Sequence, residues 1–334
     1  MVEISLNAGG ARFYDELANR AAELNVEVTK IGNYEVVDAG VRTQGSFEAG
    51  VLVSKMCAGG LMELTISTRE YGGTLLPCVE VYSEKPALSF LGGIYGDWEI
   101  DLPDFKGIGS GPARALALNR DLPKGVKKNL GSVNRGYHIY SPTQIYDLIG
   151  HKEISDVAYI LLETSQLPAE KDLDWLQKQV GYKVRLRVVA ARTSSRTMSV
   201  RLVSSVAETG LHKLVLLGVD PKLVKVALGN APLPPTAFGD DDLANGMAND
   251  AIRYGGAVYY EVESGALNGI DLSELPPKNW QLNFHELMRG GFYSVDLGDF
   301  SAASFTLVSD RGLHRSGKIR ADLLLKSFYR VATR

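Results

Sequence analysis

The chain has 334 residues, 45% of them hydrophobic and 22% charged, with a formal charge of −3. That is globular composition, long enough for two domains, and its balance excludes a broad attraction to nucleic acid or an anionic membrane, so any anion site has to be local. Two cysteines, Cys57 and Cys78, cannot build a disulfide framework or a four-thiolate zinc site, no stretch approaches the roughly 18 apolar residues of a membrane span, and the opening MVEISLNAGGARF lacks the pattern of a signal peptide, so a cytoplasmic protein without a membrane partner is expected.

In chain order, Phe13, Leu17, Ala21 and Leu24 recur at helical spacing and predict a first helix over 10–25. VEVTKIGNYEVVDAGV reads as two strands about an IGN turn. SFEAGVLVSKMCAGG reads as a helix started by Ser46 and stopped at Gly59. LMELTIS and TLLPCVEVY are strands joined across Gly72-Gly73. KPALSFLGGIYG is a short helix and WEIDL a strand. Then comes GSGPARALAL, residues 109–118, with Ser110 or Gly111 as cap and Pro112 in the first turn of a helix. The polar segment 119–150, basic around Lys124–Lys128, is an excursion between two halves, so the expected division is a first lobe at 1–118 and a second at 151–334.

The second half opens with strand VAYILLE, helix KDLDWLQKQVG and strand YKVRLRVVA. A long helix, SRTMSVRLVSSVAETGLHKLVLLG, follows. After PKLVKVALG and a Gly/Pro/Asp loop at 229–242 come a helix near 243–253 and strand GAVYYEVES. Strands and helices mingle without strict βαβ alternation, so the expected class is α/β, a two-lobed mixed fold and not a Rossmann sheet. The 35 glycines, including Gly9-Gly10 and Gly92-Gly93, are scattered and read mostly as simple turns.

Three places carry possible chemistry. On the long helix Arg201, Ser204, Ser205, Glu208 and His212 form one polar stripe. Periodicity alone reads it as a solvated face; the functional reading is a carboxylate with a guanidinium and hydroxyls, able to hold a water and move its proton. At GSGPAR, the backbone amides of Gly109, Ser110 and Gly111 at a helix start, with Arg114, suit a phosphate or carboxylate; the other reading gives Arg114 a structural ion pair between the lobes. Asn249 and Asp250 stand on a helix where they would bond a heterocycle edge or simply each other's neighbours. The run Asp240–Asp242 has no EF-hand spacing and suits a helix dipole, and the five histidines show no ligand spacing, so no metal is expected. Neither a GxSxG elbow, a Walker motif nor a GxGxxG loop is present.

Taken together and in order, GSFEAG, CAGGL, GSGPARALAL, LETSQLP, VAETGLHKL, APLPP and NDAIRYGG resemble the methenyltetrahydromethanopterin cyclohydrolase family, and FYSVDLGDFSAA is similar too. The resemblance implies a two-lobed α/β protein with its active site in an interdomain cleft, assembled as a homotrimer. It implies reversible hydrolysis of the methenyl bridge of a tetrahydromethanopterin derivative to the N5-formyl form, without metal or cofactor, as in methanogenesis and formaldehyde oxidation. The family glutamate that handles the proton matches Glu208.

The family arginine three residues before that glutamate is Ser205 here, and Arg201, one turn earlier on the stripe, is its expected stand-in. FKGIG before GSGPAR, DAG in place of the family's DCG and a longer 119–150 segment also depart from the family. These changes keep open a paralogue that binds a reduced pterin but catalyses a different reaction or none.

Overall fold

The computed structural model describes residues 4–95, 98–117, 142–292 and 295–329. These divide into two compact units, each built on a six-stranded sheet. The first comprises residues 4–63, 87–117 and 142–201, the second 64–86 and 202–329. The class is α/β with two mixed sheets, as expected. The division is not the contiguous one at 118 and 151. A hairpin leaves the first unit after Glu63, returns at Ala87, and pairs with strands some 150 residues later. Strands join a sheet through backbone edges, and hydrophobic periodicity carries no information about which edge. Of the expected excursion, residues 119–141 lie outside the described residues, and Pro142–Ile149 is a helix.

In the first unit, strands β1 (Glu27–Ile31) and β2 (Tyr34–Asp38) form the expected hairpin, with Gly32 at φ +58° in the turn. Strands β5 (Trp98–Asp101), β6 (Lys106–Ser110), β7 (Val157–Glu163) and β8 (Arg185–Ala191) complete a sheet of order β1-β2-β8-β7-β6-β5. β2, β8 and β7 run parallel, and β5, β6 and β1 are antiparallel to their neighbours. The parallel strands are buried on both faces, as βαβ crossovers require. On one face Ala158, Ile160 and Leu162 of β7 and Leu186, Val188 and Ala190 of β8 meet Leu173 and Leu176 of helix Glu170–Val180. On the other, helices Leu6–Asn19 and Phe47–Cys57 cover β7, with Tyr14 and Tyr159 ring to ring at 5.3 Å.

The first helix starts earlier than expected because Ser5 caps it, its hydroxyl accepting from the Ala8 amide. Gly9 and Gly10 are helical rather than turn residues. A Cβ on Gly9 would lie 2.1 Å from the Gly59 carbonyl and one on Gly10 2.8 Å from that of Met56, so the pair lets the two helices touch.

The buried Glu153 gathers this helix start. It accepts from the Ser5 hydroxyl (2.6 Å), the Leu6 and Asn7 amides (both 3.1 Å) and the Asn7 side chain (3.0 Å), and pairs with His151 at 2.7 Å. Asn7 in turn donates to the Pro112 carbonyl and accepts from the Tyr159 amide.

In the second unit, β3 (Glu63–Tyr71), β4 (Thr74–Ser83), β9 (Val224–Pro232), β10 (Ala257–Val262), β11 (Ser304–Ser309) and β12 (Gly312–Gly317) give the order β12-β11-β10-β9-β4-β3. Only β10 and β11 are parallel among the pairs β4/β9, β9/β10, β10/β11 and β11/β12. Helices Val206–Leu216 and Asp241–Gly255 pack on β9, and Ala321–Tyr329 packs on the latter helix. The opposite face carries the row Tyr82, Leu228, Tyr259, Thr306 and Arg315, in register across five strands, with Tyr82 and Leu228 exposed.

The expected long helix is two helices, Arg196–Val203 and Val206–Leu216. At the break the Ser205 amide and hydroxyl both reach the Leu202 carbonyl, at 3.1 and 2.5 Å. This i→i+3 turn alters the backbone bonding without a glycine or proline to mark it, so periodicity does not register it.

Glu153 generates a stability prediction. Burial by itself would raise its carboxyl, but the bonds from His151, Ser5 and Asn7 outweigh burial and hold it below the usual carboxylate range. A depressed native pKa contributes stability above the ordinary carboxylate pKa that disappears as pH falls through the native value. Glu153→Gln is therefore expected to cost about 2 kcal/mol in urea unfolding at pH 7. The gap between variant and wild type should close on acidification below the usual carboxylate range.

Candidate active site

The segment 87–94 forms a π-helix, Ala87–Ile94, continued by the Tyr95 amide on the Phe90 carbonyl at 2.8 Å. Such turns are rare and leave unbonded carbonyls at their end. Here four successive ones are taken. Gly92 O accepts from the Tyr146 hydroxyl (2.6 Å), Gly93 O from the Gly111 amide (3.1 Å), Ile94 O from Arg201 Nη2 (2.5 Å), and Tyr95 O from Arg114 Nη1. Two guanidiniums thus face the negative end of one short helix.

This changes the reading of GSGPAR. Gly109 and Ser110 are not a loop; they end β6, where Gly109 lies between Trp98 and Leu162. A Cβ on Gly109 would meet Ile160 Cδ1 at 3.1 Å and Trp98 Cβ at 3.3 Å. Gly111, at φ +103°, makes the turn. The amides of Gly111, Arg114 and Ala115 donate to Gly93, Gly111 and Pro112 carbonyls, and the helix that follows, Ala113–Ala117, has five residues. Of the three amides expected to seat an anion, that of Gly111 is taken by the Gly93 carbonyl, while Gly109 and Ser110 lie in strand β6. Arg114 is buried, its guanidinium 4.9 Å from the Tyr95 ring centre and 5.5 Å from that of Tyr146. It also bonds the Tyr95 carbonyl, so a carbonyl and two rings of its own unit surround its guanidinium.

Arg201 and Ser110, separate candidates in the sequence, come together: Arg201 Nη2 lies 3.2 Å from Ser110 Oγ. The Cys57 thiol joins them. Burial pushes its pKa up, opposed by the Arg201 charge and by hydrogen bonds from Arg201 and Ser110. Sequence reasoning missed Cys57, Tyr95 and Tyr146, since nothing in their spacing announces a contact with an arginine far along the chain.

The stripe on the two helices is not a solvated face. Arg201 is 5% exposed, Ser204 0% and Glu208 7%. Ser205 does not fill the place of an arginine, its hydroxyl being engaged with the Leu202 carbonyl. Glu208 stands in the first turn of helix Val206–Leu216, where unbonded N–H groups favour a carboxylate. A buried carboxylate at that position is suited to accept and return a proton.

Asn249 and Asp250 divide. Asn249 bonds Asn245 one turn back, at 3.0 Å to its carbonyl and 2.8 Å to its side chain. Asp250 is buried against Arg253 (3.1 Å), the Phe284 amide (2.9 Å) and the Ser327 hydroxyl (2.7 Å), so it fastens three segments of the second unit instead of offering an edge to a heterocycle. Burial, opposed first by the Arg253 charge, pushes its carboxyl up to about 6. Asp240 caps helix Asp241–Gly255 through the Leu243 amide. Among the described residues no three His, Cys, Asp or Glu side chains cluster in a way that could hold a metal ion.

The family model described as Cyclohydrolase (MCH) matches residues 5–129 and 136–328. A methenyltetrahydromethanopterin cyclohydrolase of Methanococcus maripaludis strain C5 is 33% identical over 97% of this chain and 98% of its own length. Its counterpart in Methanocaldococcus jannaschii is 32% identical over the same shares. That of Methanococcoides burtonii is 29% identical, again over 97% of this chain and 98% of the relative. With a family match over nearly its whole length, the chain belongs to the cyclohydrolase (MCH) family.

Proposed function

We propose that the protein is a methenyltetrahydromethanopterin cyclohydrolase of one-carbon metabolism, reversibly hydrolysing the methenyl bridge to the N5-formyl form. The observation that carries this is the buried Glu208 carboxylate at the start of helix Val206–Leu216, within a chain that belongs throughout to this family. The substrate's bridging carbon is the centre of a cationic amidinium between N5 and N10. Water adds to it and gives up one proton to Glu208, leaving a neutral tetrahedral carbinolamine. Glu208 returns that proton to N10, the C–N10 bond breaks, and the remaining hydroxyl proton leaves to solvent as the formyl carbonyl forms on N5. A carboxylate near the cation also steadies the bound substrate before attack. The proposal needs no metal or cofactor, because one acid–base group closes the proton balance.

Arg201 is proposed as the stand-in for the family arginine. Its guanidinium is held by the Ile94 carbonyl and Ser110, and such a fixed positive charge stabilises oxygen as negative charge builds on it. Gly109, Ser110, Gly111 and Arg114 form the frame that holds it, and Asn249 stays a candidate substrate contact. The protein is further proposed to work in the cytoplasm as a homotrimer. Free, buried Cys57 and Cys78 suit a reducing compartment, and among the described residues no helix is long and apolar enough to cross a membrane. The open face of the second sheet, with Tyr82 and Leu228, offers a contact between copies.

The first test follows the methenyl absorbance of the substrate after adding enzyme. Glu208→Gln is expected to fold and to lose about 10³-fold in kcat; turnover near wild type would remove the mechanism. Arg201→Ala should lose about 10²-fold, with Arg201→Lys in between.

Arg114→Met separates frame from substrate contact. It should cost about 2–3 kcal/mol in urea unfolding, since the charge-assisted bond to the Tyr95 carbonyl is lost, and leave KM unchanged. A raised KM in a fully stable variant would return Arg114 to the substrate. Light scattering of Leu228→Asp should read a monomer where the wild type reads three chains.

A further inference from the structure

We propose that Tyr260, on strand β10, is a positioning residue for Glu208: its phenol clamps the peptide that carries the glutamate and so sets where the carboxylate stands. This rests on the reading that Glu208 moves the proton. Tyr260 is completely buried, and its hydroxyl donates to the Ala207 carbonyl at 2.6 Å. That carbonyl belongs to the same rigid peptide plane as the Glu208 amide. Ala207 lies in the first turn of helix Val206–Leu216, so the phenol meets the helix at the residue just before the glutamate. A side chain at the ladder fixes local helix geometry more firmly than the backbone bond alone, and tilts the turn it enters.

Gly210 explains why the phenol can come so close. A Cβ there would lie 2.3 Å from the Tyr260 hydroxyl, 3.1 Å from Val258 Cγ2 and 3.3 Å from the tyrosine ring carbon bearing the hydroxyl. Of these only the first is prohibitive, so the glycine of the ETG segment is the counterpart of the tyrosine hydroxyl. From the neighbouring strand β9, Gly229, paired with Val258, brings the same sheet against the start of the helix, where a Cβ would sit 2.9 Å from Val206 Cγ1 and 3.1 Å from Ala207 Cβ. The Glu208 turn is therefore pressed onto the sheet at residues 206–207 and pinned by the phenol at 207. Burial and then the Glu208 charge push the phenol pKa well above its usual 10, which keeps the hydroxyl a neutral donor.

The test is a cycle of Tyr260→Phe, Gly210→Ala and their double variant, with Glu208→Gln alongside, each assayed for kcat and KM on methenyl-tetrahydromethanopterin. Tyr260→Phe keeps the ring and loses the clamp, so kcat should fall about tenfold while KM stays near wild type. Gly210→Ala should likewise cut kcat by forcing the hydroxyl off Ala207. In the Tyr260→Phe background the same alanine should cost little, since the remaining contacts are tolerable. Unchanged kcat in Tyr260→Phe, or an equal cost of Gly210→Ala in both backgrounds, overturns the positioning role while an inactive Glu208→Gln leaves the mechanism standing. An active Glu208→Gln overturns both. Should Tyr260→Phe not fold, Gly210→Ala alone decides: a fall in kcat at constant KM supports the clamp, and unchanged kcat overturns it.

Discussion

A π-helix ends with a cluster of carbonyls pointing the same way, and in an interior without water each must find a donor. The first unit is organised around meeting that demand at Gly92, Gly93, Ile94 and Tyr95. Tyr146 comes from the helix after the undescribed segment, Gly111 and Arg114 from the turn after β6, and Arg201 from the last residues of the unit. Three separate parts of the chain are thereby fixed to one point. Two of the four donors are arginines, and the partial negative charge of the helix end offsets part of what it costs to take their guanidiniums out of water.

The second unit solves a similar problem with formal charge. Arg253 is buried between Asp250 and Asp299, at 3.1 and 3.5 Å, and also donates to the Asn279 and Asp299 carbonyls. Asp299 accepts from the Asn279 amide as well. Removing one member of such a group strands the others without solvent, so its residues are held together more strictly than any pairwise energy implies. The network lies well away in sequence from the ETG turn, and its residues serve the fold. Glu208 stands instead at a helix start, where the backbone sets part of its environment.

Glycine does different work in the two units. In the first it makes strands and helices approach: Gly9 and Gly10 against the end of helix Phe47–Cys57, Gly109 between Trp98 and Ile160. In the second, Gly210 admits a hydroxyl into a helical turn and Gly229 admits the helix to the sheet. A motif rich in glycine next to a helix is commonly an anion cradle. GSGPAR has that composition, yet its Gly111 amide bonds the end of the π-helix and its Arg114 amide closes its own turn. The difference lies in what stands opposite the amides, and the sequence of the motif does not contain it.

Local pattern determined most of the elements: the Ser46 cap, the Gly72-Gly73 turn, the strands at 157–163, 185–191 and 257–262, and the α/β class, because each depends on residues within a few positions of one another. It also singled out Arg201, Ser110 and Glu208, which the structure buries although polar and charged side chains are mostly exposed. What only the tertiary structure decided is which of them meet. The interleaving of the two units, the break at Ser204–Ser205, the burial of the polar stripe, the joining of Arg201 to Ser110, the diversion of Arg114 and Asp250 to the frame, and the phenol beside Glu208 all depend on contacts between segments tens to hundreds of residues apart. Such contacts are set by shape and by the need to pair every buried polar group, and neither quantity is a property of any short stretch of the chain.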